Sequence, residues 1–130
     1  MKITADTNVL LRLVLADDEA QGLAAVEAME SASLVAISVH CELAWVLERL
    51  YKKARSEIAA AIRGVIEAEN VVVNRPAVDA GLAVLDAGGD FADGVIAFDG
   101  QWLGGEKFVS FDKTAVKLLD GQGIAAQLLK

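Results

Sequence analysis

Ile3-Thr4-Ala5-Asp6-Thr7-Asn8-Val9-Leu10 is a short apolar run, then an acid, then a helix-like segment. Three further acids stand near the starts of helix-like segments: Glu42 in Ser38-Val39-His40-Cys41-Glu42, Asp93 in Asp90-Phe91-Ala92-Asp93, and Asp112 in Val109-Ser110-Phe111-Asp112. If the apolar runs are strands of a parallel sheet, right-handed crossovers deliver every strand end to one edge, where ligands of such folds bind. Acids gathered there suit a hard divalent cation. Asp93 differs from the other three. It follows Gly88-Gly89 rather than a strand, on a first helical turn, three residues from Asp90 and on the same helical face.

Outward from that stretch, strand-like and helix-like segments alternate. Lys2–Ala5, Leu34–Ile37, Val71–Val73, Lys107–Ser110 and Ile124–Ala126 are short and apolar, as buried strands are. Asn8–Leu15, Asp18–Ser31, His40–Lys53, Ser56–Glu69, Ala77–Ala87, a helix capped by Asp90, and Lys113–Leu119 read as helices. Ile58, Ile62, Val65 and Ile66 share one helical face. Ser38 and Ser56 are expected N-caps. Pro76 suits a first helical turn and Gly88-Gly89 a helix end. The alternation predicts a mostly parallel sheet covered on both faces.

Composition narrows the function. At 130 residues the chain is expected to form one domain, residues 1–130, with a core that needs no staples. Hydrophobic residues at 55% exclude a disordered chain. Aromatics at 5% argue against stacking platforms for single strands, and a net charge of -7 argues against nonspecific duplex binding. An acidic chain is compatible with metal-dependent nuclease chemistry, because bound cations reverse the charge locally. One cysteine, Cys41, forms neither an internal disulfide nor a cysteine zinc site, and a cytoplasmic location is expected. The early Asp6 argues against a signal peptide, and no apolar stretch approaches the roughly 18 residues of a membrane span.

Clustered carboxylates repel, and Mg²⁺ or Mn²⁺ relieves that repulsion while favouring oxygen ligands, waters and a phosphate. The local reading stands beside this one: Asp is a good helix N-cap, and Asp90-Phe91-Ala92-Asp93 has the form of a capping box.

The four quoted segments, with Cys41-Glu42-Leu43-Ala44-Trp45-Val46-Leu47, Gly89-Asp90-Phe91-Ala92-Asp93-Gly94-Val95-Ile96-Ala97 and Phe108-Val109-Ser110-Phe111-Asp112-Lys113, resemble a PIN domain in order and spacing. In particular they are similar to a VapC-type toxin of bacterial toxin–antitoxin pairs. The resemblance implies a three-layer α/β/α fold with a central, mostly parallel sheet. It implies Mg²⁺- or Mn²⁺-dependent cleavage of RNA by metal-activated water, a homodimer, and inhibition by a small VapB-type antitoxin. By position, Asp6, Glu42, Asp93 and Asp112 are then the catalytic and metal-binding acids, with Asp6 central and Asp112 a ligand or an outer acid. Thr7, Asn8 and Ser110 match polar support positions. Phe98-Asp99-Gly100-Gln101-Trp102-Leu103-Gly104-Gly105 departs from the alanine-rich helix expected after the third acid, which puts that helix's length in question.

Other residues have plainer readings. His40 is a helix-start histidine before it is a general base, and Cys41 a small packed residue before it is a nucleophile. Arg49, Lys52, Lys53 and Arg55 form the densest basic run. They complement a helix end or contact phosphate, and Arg12 is a second phosphate candidate. Trp45 and Trp102 are core or interface residues. Asp17, Asp18, Asp79 and Asp86 read as solvent-facing. Two rival functions remain: a catalytically weak module that acts by partner binding, and a phosphatase or receiver domain. Asp6-Thr7-Asn8 lacks the second acid that a phosphoaspartate enzyme places two residues on.

Overall fold

A computed structural model describes residues 1–130. The chain forms two compact units, Met1–Asn74 and Arg75–Lys130. The first unit runs β1 (Lys2–Thr4), α1 (Thr7–Leu15), α2 (Glu19–Ser31), β2 (Leu34–Ala36), α3 (His40–Arg49), α4 (Arg55–Ile66) and β3 (Val71–Val72). Its strands pair in the order β1-β2-β3, all parallel, with Thr4 opposite Ala36 and Val35 opposite Val71. Parallel neighbours require long crossovers, and each helix pair supplies one. Leu10, Val35, Leu43, Leu47, Ile58 and Ile62 form the buried interior. Backbone bonds from Ala5 N–H to the Ala36 oxygen and from Ile37 N–H to the Val72 oxygen, both 3.0 Å, extend the pairing beyond the strands. The chain therefore leaves β1 and β2 at the same edge of the sheet. The Asn70 amide donates to the Met29 and Ala32 carbonyls at 2.8 and 3.0 Å, satisfying acceptors that the end of α2 leaves open.

The second unit runs α5 (Arg75–Asp86), α6 (Phe91–Trp102), β4 (Phe108–Ser110), α7 (Lys113–Gly121) and β5 (Ala126–Leu128). β4 and β5 are parallel, Phe108 opposite Ala126. Val84, Ala97 and Leu119 are buried together, with Phe108, Leu118, Ile124 and Ala126 packed against them. Gly94 lets α6 approach α5 backbone to backbone. A β-carbon there would overlap the Ala80 carbonyl and stand 2.8 Å from Gly81 Cα. This close approach sets the first turn of α6, where Asp93 sits.

The α/β class, with seven helices and parallel strands, agrees with the sequence reading, and the pairing divides into a three-stranded and a two-stranded sheet. Several local expectations are corrected. α3 stops at Arg49 rather than Lys53, because Lys52 takes a left-handed backbone (φ 54°) and the Lys53 N–H turns back to the Leu47 carbonyl. Ser38 does not cap α3: Val39 occupies the cap position, without a side-chain bond. Ser56 lies inside α4, whose start is held by the Glu57 carboxylate accepting the Ala54 N–H at 3.0 Å. The last strand begins two residues later than expected, at Ala126. Ile124 instead packs into the core and donates its N–H to the Leu119 carbonyl, closing the end of α7. The helix after Asp93 runs through Gly100 to Trp102, so the glycine does not shorten it.

Candidate active site

Asp6 follows β1 and is the N-cap of α1. Its Oδ1 accepts the Val9 N–H at 3.0 Å. The capping bond fixes the carboxylate and leaves Oδ2 for a ligand. Glu42 is the third residue of α3, exposed on its first turn beyond the end of β2. Both acids thus belong to the edge where β1 and β2 end. Thr7, directly after Asp6, is buried at 7% exposure, and its hydroxyl has no hydrogen-bond partner. A buried hydroxyl left open costs roughly 1–3 kcal/mol, so its place beside the strand-end acid calls for a ligand or a ligand's water.

The second unit holds the denser group. Asp90 is the N-cap of α6, its Oδ1 accepting the Ala92 N–H at 3.1 Å. The N-cap reading of Asp90 is therefore borne out, whereas the capping box is not, because the Asp93 N–H donates to the Asp90 backbone carbonyl at 3.1 Å. Asp93, one turn in, is half-buried. Its carboxyl is pushed above the ordinary value of 3.8, first by burial, then by the neighbouring charges of Asp90 and Asp112. Asp112 is the N-cap of α7 and accepts from the Thr114 and Ala115 N–H groups at 2.9 and 3.2 Å through one oxygen. Ser110, an expected support residue, accepts the Asp112 N–H on its hydroxyl at 3.0 Å and so orients this acid. Asp90 and Asp112, like Asp6, are therefore helix caps that each retain one uncommitted oxygen.

No three His, Cys, Asp or Glu side chains gather closely enough to hold an ion by themselves. The donors nonetheless fit a hard divalent cation. In the second unit they are carboxylate oxygens, of which Asp93 carries a like-charge burden that a cation would remove. In the first unit, by itself, Thr7 next to Asp6 in the chain offers an orphaned buried hydroxyl. Mg²⁺ ordinarily needs only one or two carboxylates, with waters and substrate phosphate completing its shell.

The basic candidates are sorted by their partners. Arg12 Nη1 lies 2.7 Å from Asp17 Oδ1, a pair that leaves its other guanidinium N–H groups open, and Asp17 is exposed, as its reading as solvent-facing expects. Lys53 is half-buried and 4.0 Å from Glu57. Arg49 and Lys52 are exposed. Asp79 lies 3.9 Å from Arg75. His40 is half-buried, its Nδ1 3.7 Å from Cys41 Sγ. Trp45 and Trp102 are surface residues, at 53% and 83% exposure, so neither belongs to the core.

The cavities of the first unit include two that bear on function. One, about 340 Å³, is bounded by Asp6, Asn8, Val9 and Arg12 of α1 and by Gln21, Ala24, Ala25 and Ala28 of α2. Gln21 gave no signal in the sequence, being a lone amide in an alanine-rich helix whose register only the Asp18 cap reveals. The other is an apolar groove of about 680 Å³, with Leu13, Val14, Val26, Met29, Leu47 and Val65 among its walls.

The PIN-domain family pattern matches residues 3–118, and the chain belongs to that family, whose fold is of the nuclease type and whose substrates are nucleic acids. Nucleases of this family typically use divalent metals. No curated protein matches the chain, nor does any solved structure. No helix is long and apolar enough to cross a membrane.

Proposed function

We propose that residues 1–130 act as one PIN nuclease domain, a Mg²⁺- or Mn²⁺-dependent endoribonuclease serving as the VapC-type toxin of a cytoplasmic toxin–antitoxin pair. The observation that carries this reading is the family pattern over residues 3–118, which includes Asp6, Glu42, Asp93 and Asp112. The half-buried Asp93, under the charges of Asp90 and Asp112, supports it. Asp6, Glu42, Asp93 and Asp112 are the proposed metal-holding acids, with Asp6 central and Asp112 the outermost.

A cation held by these acids would supply Lewis-acid polarisation of a phosphoryl oxygen and a water of lowered pKa. The chain's own contribution is positional. The α1 cap holds Asp6 with one oxygen presented. Ser110 and the start of α7 hold Asp112. Thr7 supplies a hydroxyl for a water beside Asp6. Helix N-termini favour the substrate's phosphate but oppose a bare cation, so the carboxylates must outweigh them.

Partner binding has its own support. The apolar groove of the first unit is the kind of surface a protein partner covers, here a VapB-type antitoxin. Exposed Ile96, Trp102, Leu103 and Phe111 of the second unit favour a homodimer. The same groove supports the second reading, a catalytically weak module that acts by binding.

The test is cleavage of cellular RNA in Mg²⁺ or Mn²⁺, in EDTA, and by the Asp6→Asn variant. Cleavage that survives both EDTA and the substitution rules out the enzyme proposed here. Tight partner binding with no cleavage in any metal selects the binding module.

A further inference from the structure

The 340 Å³ cavity beside Asp6 has a chemistry of its own. Its walls along Val9, Ala24, Ala25 and Ala28 are small and apolar, so a flat ring meets an unobstructed helix face. Its polar groups are Asn8, Gln21 and Arg12. The side-chain amides of Asn8 and Gln21 have no partner within the molecule. Each offers donors and an acceptor on one planar edge. Arg12 is held in orientation by Asp17 through Nη1, and its other guanidinium N–H groups remain open. The Gln21 backbone is fixed in turn, its N–H donating to the Asp18 cap at 3.0 Å.

We infer that this cavity is a base-reading subsite for a single nucleotide of the RNA substrate, with Gln21 as its specificity-determining residue. The inference rests on the endoribonuclease reading above and extends it to substrate choice. The volume lies at the lower end of ligand pockets and is of a size for about one nucleotide, with the rest of the strand in solvent. No aromatic residue lines it, so the base is held by its hydrogen-bonding edge rather than by sequence-tolerant stacking, and the site discriminates among bases. Asp6 is itself part of the wall, so the nucleotide read is the one flanking the phosphate that is cut.

The experiment has two arms. In the first, a single-stranded RNA pool with randomised positions is cleaved in Mn²⁺ by the wild type and by Gln21→Ala, and the cut sites are sequenced. The wild type is expected to prefer one base at the position next to the cut. Gln21→Ala, an exposed and helix-compatible change, is expected to flatten that preference about fivefold or more, the discrimination lost with one good base-edge contact. An unchanged preference overturns the subsite.

In the second arm, four short oligomers, of A, C, G and U, are titrated in EDTA while the Asn8 and Gln21 side-chain amide resonances are followed. Base-dependent shifts that Gln21→Ala abolishes support the subsite even if no RNA is cut, in which case only the nuclease reading falls. Cleavage without such shifts overturns the subsite and leaves the nuclease. Neither cleavage nor shifts overturns both.

Discussion

The two units treat their acids in opposite ways. In Met1–Asn74, Asp6 and Glu42 are exposed at the ends of parallel strands, and sheet topology brings them to one edge. In Arg75–Lys130 the half-buried Asp93 is raised first by burial and then by the charges of Asp90 and Asp112. An exposed carboxylate at a helix cap is stabilised by its N–H partner, whereas one crowded by like charges and partly desolvated is destabilised in its ionised form. The first arrangement costs the fold little, and at Asp6, though not at Glu42, capping alone explains it. The second opposes stability unless something cationic offsets it, which is the pattern of a functional rather than a structural site.

The largest effect should come from Asp6→Asn. The amide keeps the cap on α1 but removes the central charge, so RNA cleavage should fall by more than about 100-fold, beyond the range for groups that only support a metal ligand, with thermal stability nearly unchanged. Single-turnover cleavage beside a melting curve checks this. Equal losses in both would make Asp6 a structural residue and dissolve the contrast between the units.

Asp112→Asn should lose less, about 10- to 100-fold, as expected of an outer acid. Asp112→Ala should additionally cost about 1 kcal/mol, because the Thr114 and Ala115 N–H groups lose their acceptor. An Asn variant as inactive as Asp6→Asn would place Asp112 among the inner ligands.

Gly94→Ala should destabilise the protein by roughly 1–3 kcal/mol, since the new methyl meets the α5 backbone rather than a yielding side chain. Denaturant titration reads this directly. A neutral result would mean that α6 can retreat from α5 without loss, and the placement of Asp93 would need another explanation.

The smallest effect is the most specific. The folded-state pKa of Asp93 lies above its ordinary value, so the native state holds the proton more tightly than the unfolded chain does. Its contribution to stability is therefore fully present below about pH 3.8 and is lost as pH rises through the folded-state pKa. In EDTA, Asp93→Asn should melt slightly higher than the wild type at pH 7, with the gap closing toward pH 3.5. Mg²⁺ should raise the wild-type midpoint more than that of the variant. A variant that melts lower at pH 7 would remove the idea of a charge burden in the second unit.

Much of this was legible before the fold. Short β-branched runs alternating with amphipathic segments marked the parallel α/β class, and the acids stood out because each precedes or enters a helix. Cap identities were legible only in part. Asp90 caps as expected, and Asp18, read only as solvent-facing, is half-buried and caps α2. Ser38 and Ser56 do not cap, because backbone geometry at Val39 and the reach of the Glu57 carboxylate set those starts instead. The end of α3 was hidden because the left-handed turn at Lys52 involves no glycine. The alanine-rich α2 conceals its pocket-facing side, so Gln21 carried no signal.

By itself, the sequence determined which residues can act: the carboxylates, the hydroxyls beside them, the absence of cysteine pairs, and an alternation of apolar and amphipathic runs that marks parallel strands. These follow from side-chain chemistry and local periodicity, which are properties of the chain alone. Among strand residues, the burial that the alternation led one to expect holds only at Val35, with Val72 and Val109 half exposed. Only the tertiary structure decided which acids feel one another, that Thr7 is buried with an open hydroxyl, and that Arg12 is turned to Asp17 with a cavity beside Asp6. Burial, charge crowding and cavities depend on residues far apart in sequence, and they exist only once the backbone has brought those residues together.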